Sequence, residues 1–515
     1  MNDNIILIFP NGLFQENTVI EKALKKWKKI KIAVIEHPVF FTMYPYHKLK
    51  LILHRSSMKY YQDYLNDKHK SKVDITYYTF DNYQKAFKNK KNIMFHYHDP
   101  SDHFVINDLE KLAKKYQFKQ CIYDTPMFLN TREELDTYWN QHKNKKIVHK
   151  QFYIHQRKKF KIMVDSKGNH IGKDWVFDDQ NRKPFPKNVK KLKDSKLLSY
   201  VNKSKYVTEA KKYIEKNFSD NPGETDLYLP IEYSDVKKMF KQFMEKKLKC
   251  FGQYQDAVSK DITFGCHSIM SPLLNIGLIT PRYIIDKFIK YIKSHKVAIN
   301  NSEGYIRQLI GWREYTRMFY LYKHKELDSN YLNHTNKINK KIWYYGKGKT
   351  QFPMIDDMIQ KVIKYGYLHH IERLMYVGNF LLITQTDPKD VFKWFQSMNI
   401  DSYHVFMYPN VYGMSQYSAK DIMMTRPYFS SANYINNMSD YKKNSKTIPK
   451  INLSGTKYKW GDVWDSIYYT FIKKHLKILE KNYSTAVQAS HWKKKNKKDK
   501  KELVSINKKY FNTYI

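Results

Sequence analysis

The N-terminal residues change hydrophobic period repeatedly, and no other feature restricts the fold as much. "NIILIFP" (4–10) and "KIKIAVIEH" (29–37) are short β-rich runs, "IEKALKKWKK" (20–29) and "HKLKLILHRSSMKYYQDYLND" (47–67) carry helical periodicity, and "KVDITYYTF" (72–80) is strand-like again. Strands alternating with helices predict an α/β, Rossmann-like domain built on a parallel sheet with right-handed crossovers. The turn "FPNGLF" after the first strand lacks the GxGxxG glycines, so a dinucleotide fingerprint is not expected there. From about residue 235 helix signals dominate: "EGYIRQLIGWREYTRMFYLY", "MIDDMIQKVIKYG", "YLHHIERLMYVGNFLLI" and "VWDSIYYTFIKKHLKILEKNY" predict an all-α second domain.

A chain of 515 residues exceeds one comfortable core, so more than one domain is expected. The pattern divides into an α/β domain at 1–140, a connector at 141–230 that reads as irregular, a helical domain at 231–490 and a basic tail at 491–515. Lys and Arg number 92 against 49 Asp and Glu, a formal charge of +43, which suits a polyanionic partner such as nucleic acid. Lys, Asn, Ile and Tyr are all abundant, as AT-rich coding would produce, so part of this charge is ordinary solvated surface. The run "KKKNKKDKK" (493–501) reads first as a solvated tail and second as a DNA contact. Cys121, Cys250 and Cys266 are not at ligand spacing; a disulfide framework or a Cys-rich metal site is not expected, and a reducing compartment is. With no apolar run of membrane length, a soluble intracellular monomer of the cytoplasm or nucleus is expected.

"LHHIERLM" (368–375) places two histidines side by side in a segment that reads as a buried helix. On a 100° wheel Tyr367, His370, Ile371, Leu374, Gly378 and Leu381 share one stripe, and His369 falls opposite with Arg373 and Tyr376. His369 and Glu372 have metal-ligand spacing, but no second such pair lies nearby, so no metal is expected.

The blocks "TQFPMIDDMIQKVIKYGYLHHIERLMYVGNFLL", "EGYIRQLIGWREY" and "CHSIMSPLLNIGLITP" resemble the photolyase and cryptochrome flavoproteins. The resemblance continues through "HKLKLILHRSSMKYY", "GKDWVFDDQNRKPFP" and "FGQYQDA", and "VYGMSQYSAKDIMMTRPYFSSANYINNMSDY" is similar to the bacterial (6-4) photolyase branch that carries an iron-sulfur cluster. It implies an N-terminal antenna domain and a helical domain that binds FAD. Tyr254, His267, Ser268, Ser271 and Leu274 match the cofactor-binding region, its phosphates lying at a Ser-Pro helix start. The family's arginine in that block is Ile269 here. Arg373 and Asp401 match the pair beside the flavin, and Met407 stands where the family has a polar residue near the flavin N5; a thioether cannot relay a proton.

Trp394 matches the first aromatic of the electron relay, followed by Phe395 in place of the usual Tyr, with Trp343 and Tyr345 as further aromatics. The cluster cysteines correspond to Met354, Lys442, Ser445 and a residue near Asp462, so no iron-sulfur cluster is expected, and "INLSGTKYKWGDVWDSIYYTF" is expected to replace it as a staple. By the same resemblance His370 is the general acid of (6-4) repair, His369 a support or a lesion contact, and Tyr428 and Tyr434 line the lesion pocket. Light-driven repair of UV-damaged DNA is the implied activity. A cyclobutane-dimer photolyase and a cryptochrome-like photoreceptor are the alternatives. Glu36 and "HPVFF" (37–41) do not identify a second, antenna chromophore.

Overall fold

The computed structural model describes residues 4–186 and 201–515; residues 187–200, inside the expected connector, and residues 1–3 lie outside the described residues. The three runs of strand character form β1 (Asn4–Ile8), β2 (Ile30–Ile35) and β3 (Val73–Tyr78), and two strands not singled out from sequence, β4 (Met94–His98) and β5 (Lys119–Tyr123), join them. They pair in parallel in the order β3-β2-β1-β4-β5. β1 and β2 are almost wholly buried, as strands covered on both faces must be. The winding reverses between β1 and β4, where open α/β sheets offer a crevice at their carboxyl ends. Here the second domain plugs it: Leu13 N–H donates to Ile276 O at 3.0 Å, and a Cβ on Gly277 would meet the Phe14 ring at 2.8 Å. Gly277 also has φ +86°, so only glycine suits this approach.

The helix Lys48–His69 lies between the sheet and the helical domain. Every residue from Leu49 to Met58 is buried, including Lys50, His54 and Arg55, so this helix is enclosed around its whole circumference. The remainder is helical, with the small hairpin Ile451–Leu453/Thr456–Tyr458 added. Helix starts follow the sequence closely. Pro281, Pro353 and Pro388 each open a helix, where a missing N–H costs nothing, and Thr280 and Asp387 cap two of them. Three wide π-helical turns, Arg307–Trp312, Glu372–Gly378 and Tyr408–Ser415, interrupt the helices of the second domain. Two of them touch: a Cβ on Gly378 would lie 2.3 Å from Ser415 Oγ.

Three sequence expectations are corrected. The connector is not irregular throughout: it contains the helices His149–Phe160 and Lys205–Asn217. The second packs on Lys48–His69 through buried Val207, Ala210 and Ile214, a short apolar stripe masked by the lysine background, while Glu209 accepts from Arg55. The basic C-terminus is not a free tail. It forms the helices Ala486–Lys494 and Lys497–Tyr514, and Ile506 and Tyr510 dock the latter while its lysines stay outside. Cys250 and Cys266, expected to stay unpaired, are joined as a disulfide. They stand 16 positions apart in sequence, a spacing that only the fold closes. No helix among the described residues is long and apolar enough to cross a membrane.

Burial holds several histidines neutral: His47 and His98 are pushed down to about 4, and His54 and His334 to about 3. In the unfolded chain these groups protonate near 6.5, so the stability they contribute is complete above that pH and is lost as pH falls from 6.5 through 4 toward 3. Urea midpoints measured across pH 8 to 4 should fall steeply below about pH 6.5; a flat profile would contradict the buried, neutral assignment. Tyr510, fully buried against Phe352 and donating to Thr350 O at 2.8 Å, holds the C-terminal helix down. Tyr510→Ala should cost roughly 3–5 kcal/mol in denaturant unfolding, as large aromatic deletions do.

Candidate functional site

The site forms where the loop before Ser271, the segment 367–378 and the segment 399–407 converge. Asp401 is its anchor. Its Oδ1 accepts from Arg373 Nη2 at 2.8 Å, its Oδ2 from Ser271 Oγ at 2.7 Å, and its backbone carbonyl from Asn275 Nδ2 at 2.7 Å. Asn275 in turn accepts from Arg313 Nη1 at 2.6 Å, so a second guanidinium supports the first pair through one amide. Arg373 is fixed further by Nε donating to Leu368 O at 2.7 Å and by the face of Tyr367. A charge-assisted network of this kind is rigid because each member is over-determined. The resemblance located Arg373, Asp401 and Ser271; Asn275 and Arg313 lie within the quoted blocks but were passed over.

The loop leading to Ser271 is strained. Ile269 has φ +55°, a region that β-branched residues avoid, and it is buried. The helix Ser271–Asn275 is a single turn, and Ser271 turns its hydroxyl to Asp401. Ser268 accepts from Met270 N–H at 3.4 Å, Leu274 is buried, and Tyr254 stands beside Phe185 at 5.6 Å between ring centres.

The two histidines exchange the environments that the wheel gave them. His369 has a side-chain exposure of 5%, and His370 of 49%. The helix begins only at His370, because Tyr367–His369 are non-helical and His369 N–H donates to Glu372 Oε2 at 2.9 Å as a first-turn cap. The π turn from Glu372 then shifts the phase again, burying Tyr376. A uniform 100° step starting at Tyr367 is therefore wrong at both ends.

His267 joins the doublet, which sequence spacing did not suggest. Its ring stacks on His369 at 4.5 Å and meets His370 edge-on at 5.4 Å. Burial pushes the pKa of His267 and His369 well down, helped for His267 by His370 and for His369 by His267 and Lys361. His267 Nε2 donates to Gln255 O at 3.1 Å, whereas His369 Nδ1 is buried without a partner. Ligand nitrogens of the three rings lie within 4.8 Å of one another, a set that could in principle hold a metal ion. Lys361, which adds to burial in holding His267 and His369 unprotonated, opposes a metal cation for the same reason, as does Arg373 beside His369. Lys361 itself is clamped on Glu372 with both contacts at 2.7 Å.

His370 reaches toward solvent and donates through Nε2 to Asp256 Oδ1 at 3.1 Å. Tyr434 is near the same carboxylate: burial raises its pKa, and the negative charge of Asp256 adds to the effect. Tyr428 lies beside Arg426, whose guanidinium is 5.4 Å from its ring, and takes its electrostatic neighbours from Asp178 and Arg182. Arg182 is an electrostatic neighbour of both Tyr428 and Tyr434. Asp256, inside the quoted "FGQYQDA", is a site residue that the sequence reading missed.

Met407 is buried, with Ser402 Oγ at 3.2 Å from its sulfur. Trp394 is fully buried, packs edge-on against Trp343 at 5.2 Å and donates to Trp343 O at 2.7 Å; Phe395 lies 4.9 Å from it, and Tyr345 is exposed. Of the positions matched to cluster ligands, Lys442 and Ser445 are neighbours, Ser445 N–H donating to Lys442 O at 3.1 Å. Met354 is in the core, Lys442 donates to Asn436 O, Ser445 pairs with Thr447, and Asp462 is exposed. Glu36, in the N-terminal domain, is buried and accepts from Arg55, Tyr77 and Tyr213 at 2.6, 2.7 and 2.9 Å.

Around the convergence several buried polar atoms lack partners, among them His369 Nδ1, Gln255 Nε2, Arg313 Nη2 and Asn399 Oδ1. Such atoms are costly unless a ligand meets them. A guanidinium–carboxylate pair, hydroxyls and neutral imidazoles form a donor and acceptor set suited to a large polar cofactor with anionic groups, and FAD is of that kind.

Residues 6–228 match the family described as deoxyribodipyrimidine photo-lyase-related protein, and residues 305–451 match the FAD binding domain of DNA photolyase. The chain is 28% identical over 396 residues to the (6-4) photolyase of Agrobacterium fabrum, covering 76% of this chain and 75% of that one. In fold it is similar to a bacterial class III photolyase from Agrobacterium tumefaciens, with a TM-score of 0.54 at 13% identity over 100% of this chain and 98% of that one. A Synechocystis cryptochrome gives a TM-score of 0.53 at 13% identity, with 97% and 93% covered. The parallel sheet, the helical domain behind it, the Arg373–Asp401 pair and these similarities together place the chain in the photolyase/cryptochrome family.

Proposed function

We propose that this protein is a light-dependent DNA repair photolyase whose substrate is the (6-4) pyrimidine photoproduct. The observation that carries the reading is His370: half-exposed, held by Asp256, whose charge also acts on Tyr434, and adjoining the buried Arg373–Asp401 network. FAD, when bound, supplies the light-driven one-electron chemistry of such a reaction. Arg373, Asp401 and Ser271 would hold it, with His267, Ser268, Tyr254 and Leu274 completing its surroundings. Met407 offers a soft apolar surface and no exchangeable proton.

His370 moves the proton. Its Nε2–H is oriented by Asp256 Oδ1, and its exposed ring lets a flipped base approach from solvent. Protonation by His370 of the hydroxyl that the (6-4) lesion transfers would let that group move back to its original base. His369, buried and neutral, cannot supply the proton and instead supports the ring stack. Tyr434 and Tyr428 would line the pocket for the flipped pair, and the formal charge of +43 favours the phosphate backbone.

The reading includes no iron-sulfur cluster, since Met354, Lys442, Ser445 and the residues near Asp462 bring no thiolate. Phe352, Trp464 and Tyr510 pack together where a staple is needed, with ring centres 5.3 Å apart in both Phe352 pairs. Among these three, Trp464 belongs to the stretch proposed from sequence.

The test is repair of defined (6-4) and cyclobutane thymine dimers by the purified, photoreduced protein, scored by chromatography. Turnover of the (6-4) lesion should be found, and His370→Ala should reduce it by at least about 100-fold while leaving FAD bound. Turnover of the cyclobutane dimer alone would transfer the assignment to that lesion. A yellow, photoreducible protein that repairs neither would be a photoreceptor.

A further inference from the structure

We infer that Lys50, a residue of the N-terminal domain, is a positioning residue for the Arg373–Asp401 pair, fixing from behind the chain segment that carries Asp401. Lys50 lies on the enclosed helix Lys48–His69 and is 1% exposed. Its Nζ donates to Ser402 O at 2.5 Å, one residue from Asp401, and to Gln396 O at 3.1 Å. Gln396 is in the last turn of the helix Pro388–Met398, whose free carbonyls attract a cation. The rings of Tyr46 and Tyr403 face the ammonium at 4.6 and 5.0 Å. Among the described residues no carboxylate lies within ion-pair distance of it.

A buried ammonium without a counter-ion costs several kcal/mol, and an apolar residue would fill the space more cheaply. Burial pushes the Lys50 pKa down to about 7, with Asp401 and Asp102 opposing that shift and Arg373 adding to it. The lysine is thus electrostatically linked to both members of the pair it positions. It is also part of a wider clamp. His47 N–H donates to Ser397 O at 3.0 Å, Tyr403 and His54 Nε2 are hydrogen-bonded at 2.7 Å, and His404 Nδ1 donates to Asp102 Oδ2 at 2.6 Å. Every one of these partners comes from the N-terminal domain, and the residues they hold, 396–404, bracket Asp401. The groups facing Lys50 are Asp401, Asp102, Arg373, His54 and the two tyrosines. Of these, His54 is held neutral by burial, down to about 3, which leaves Lys50 as the cation on this side.

This inference rests on the reading of Arg373 and Asp401 as the flavin contact. Its test compares Lys50→Met, Lys50→Gln and Arg373→Ala with the parent protein, each loaded with FAD. The readouts are the flavin carbonyl bands in light-minus-dark infrared spectra and the flavin midpoint potential between pH 6 and 8.5. Expected for Lys50→Met is FAD still bound, displaced carbonyl bands, a more negative potential from the lost positive charge, and loss of a pH-dependent step near 7 that the parent shows. Lys50→Gln keeps two donors but not the charge, so it should recover the band positions and not the step; it also decides the matter if Lys50→Met fails to fold. Bands and potential unchanged in both Lys50 variants, with Arg373→Ala clearly altered, would overturn the role of Lys50 and leave the flavin contact standing. An unaltered Arg373→Ala protein would overturn the contact itself and this inference with it.

Discussion

Everything in this structure depends on how the helix Lys48–His69 satisfies its buried polar groups. Enclosed on all sides from Leu49 to Met58, it carries Lys50, His54 and Arg55 into the buried interior. An unpaired polar group there costs more than a missing hydrophobic contact, so each dictates its partner. Arg55 binds Glu36 and Glu209 and so fixes the connector helix on the sheet domain. His54 and Lys50 bind the segment around Asp401 and so fix the helical domain. The two domains therefore meet through directional polar contacts laid into an apolar seam, a more specific junction than packing alone provides.

That junction explains why the site can be held by short pieces of irregular chain. The strained Ile269, the one-turn helix at Ser271 and the three π turns are locally unfavourable. They persist because Asp401 is bound at once by Arg373, Ser271 and Asn275, and because its own chain is gripped from the opposite face. Local strain of this kind is consistent with a scaffold that over-determines those few residues.

The histidine group shows how far local reasoning reaches. The doublet was legible as the chemical centre of the segment, and the resemblance pointed to His370. The wheel, however, placed His370 inward and His369 outward, and the structure reverses them. His267 joins them from a loop about a hundred residues earlier, and Asp256, which orients His370, comes from beside that loop. Neither contact has a signature in spacing. Lys50 did have one: a lysine among Leu49, Leu51, Ile52 and Leu53 is out of place on an apolar helix, and such a misfit marks a buried charge with a partner to find.

By itself the sequence determined the parallel α/β half, the helical half, most helix starts and the residues of the central pair. The two halves and the helix starts follow from hydrophobic period, proline placement and local caps, which act over a few residues, and the central pair from the family resemblance. Only the tertiary structure decided which histidine meets solvent, that Cys250 and Cys266 pair, that the lysine-rich C-terminus docks as a helix, and that the N-terminal domain grips the Asp401 segment. Those outcomes depend on where a helix begins, on a π turn that shifts its phase, and on contacts between residues hundreds of positions apart. Such contacts form only when the whole chain has closed around them.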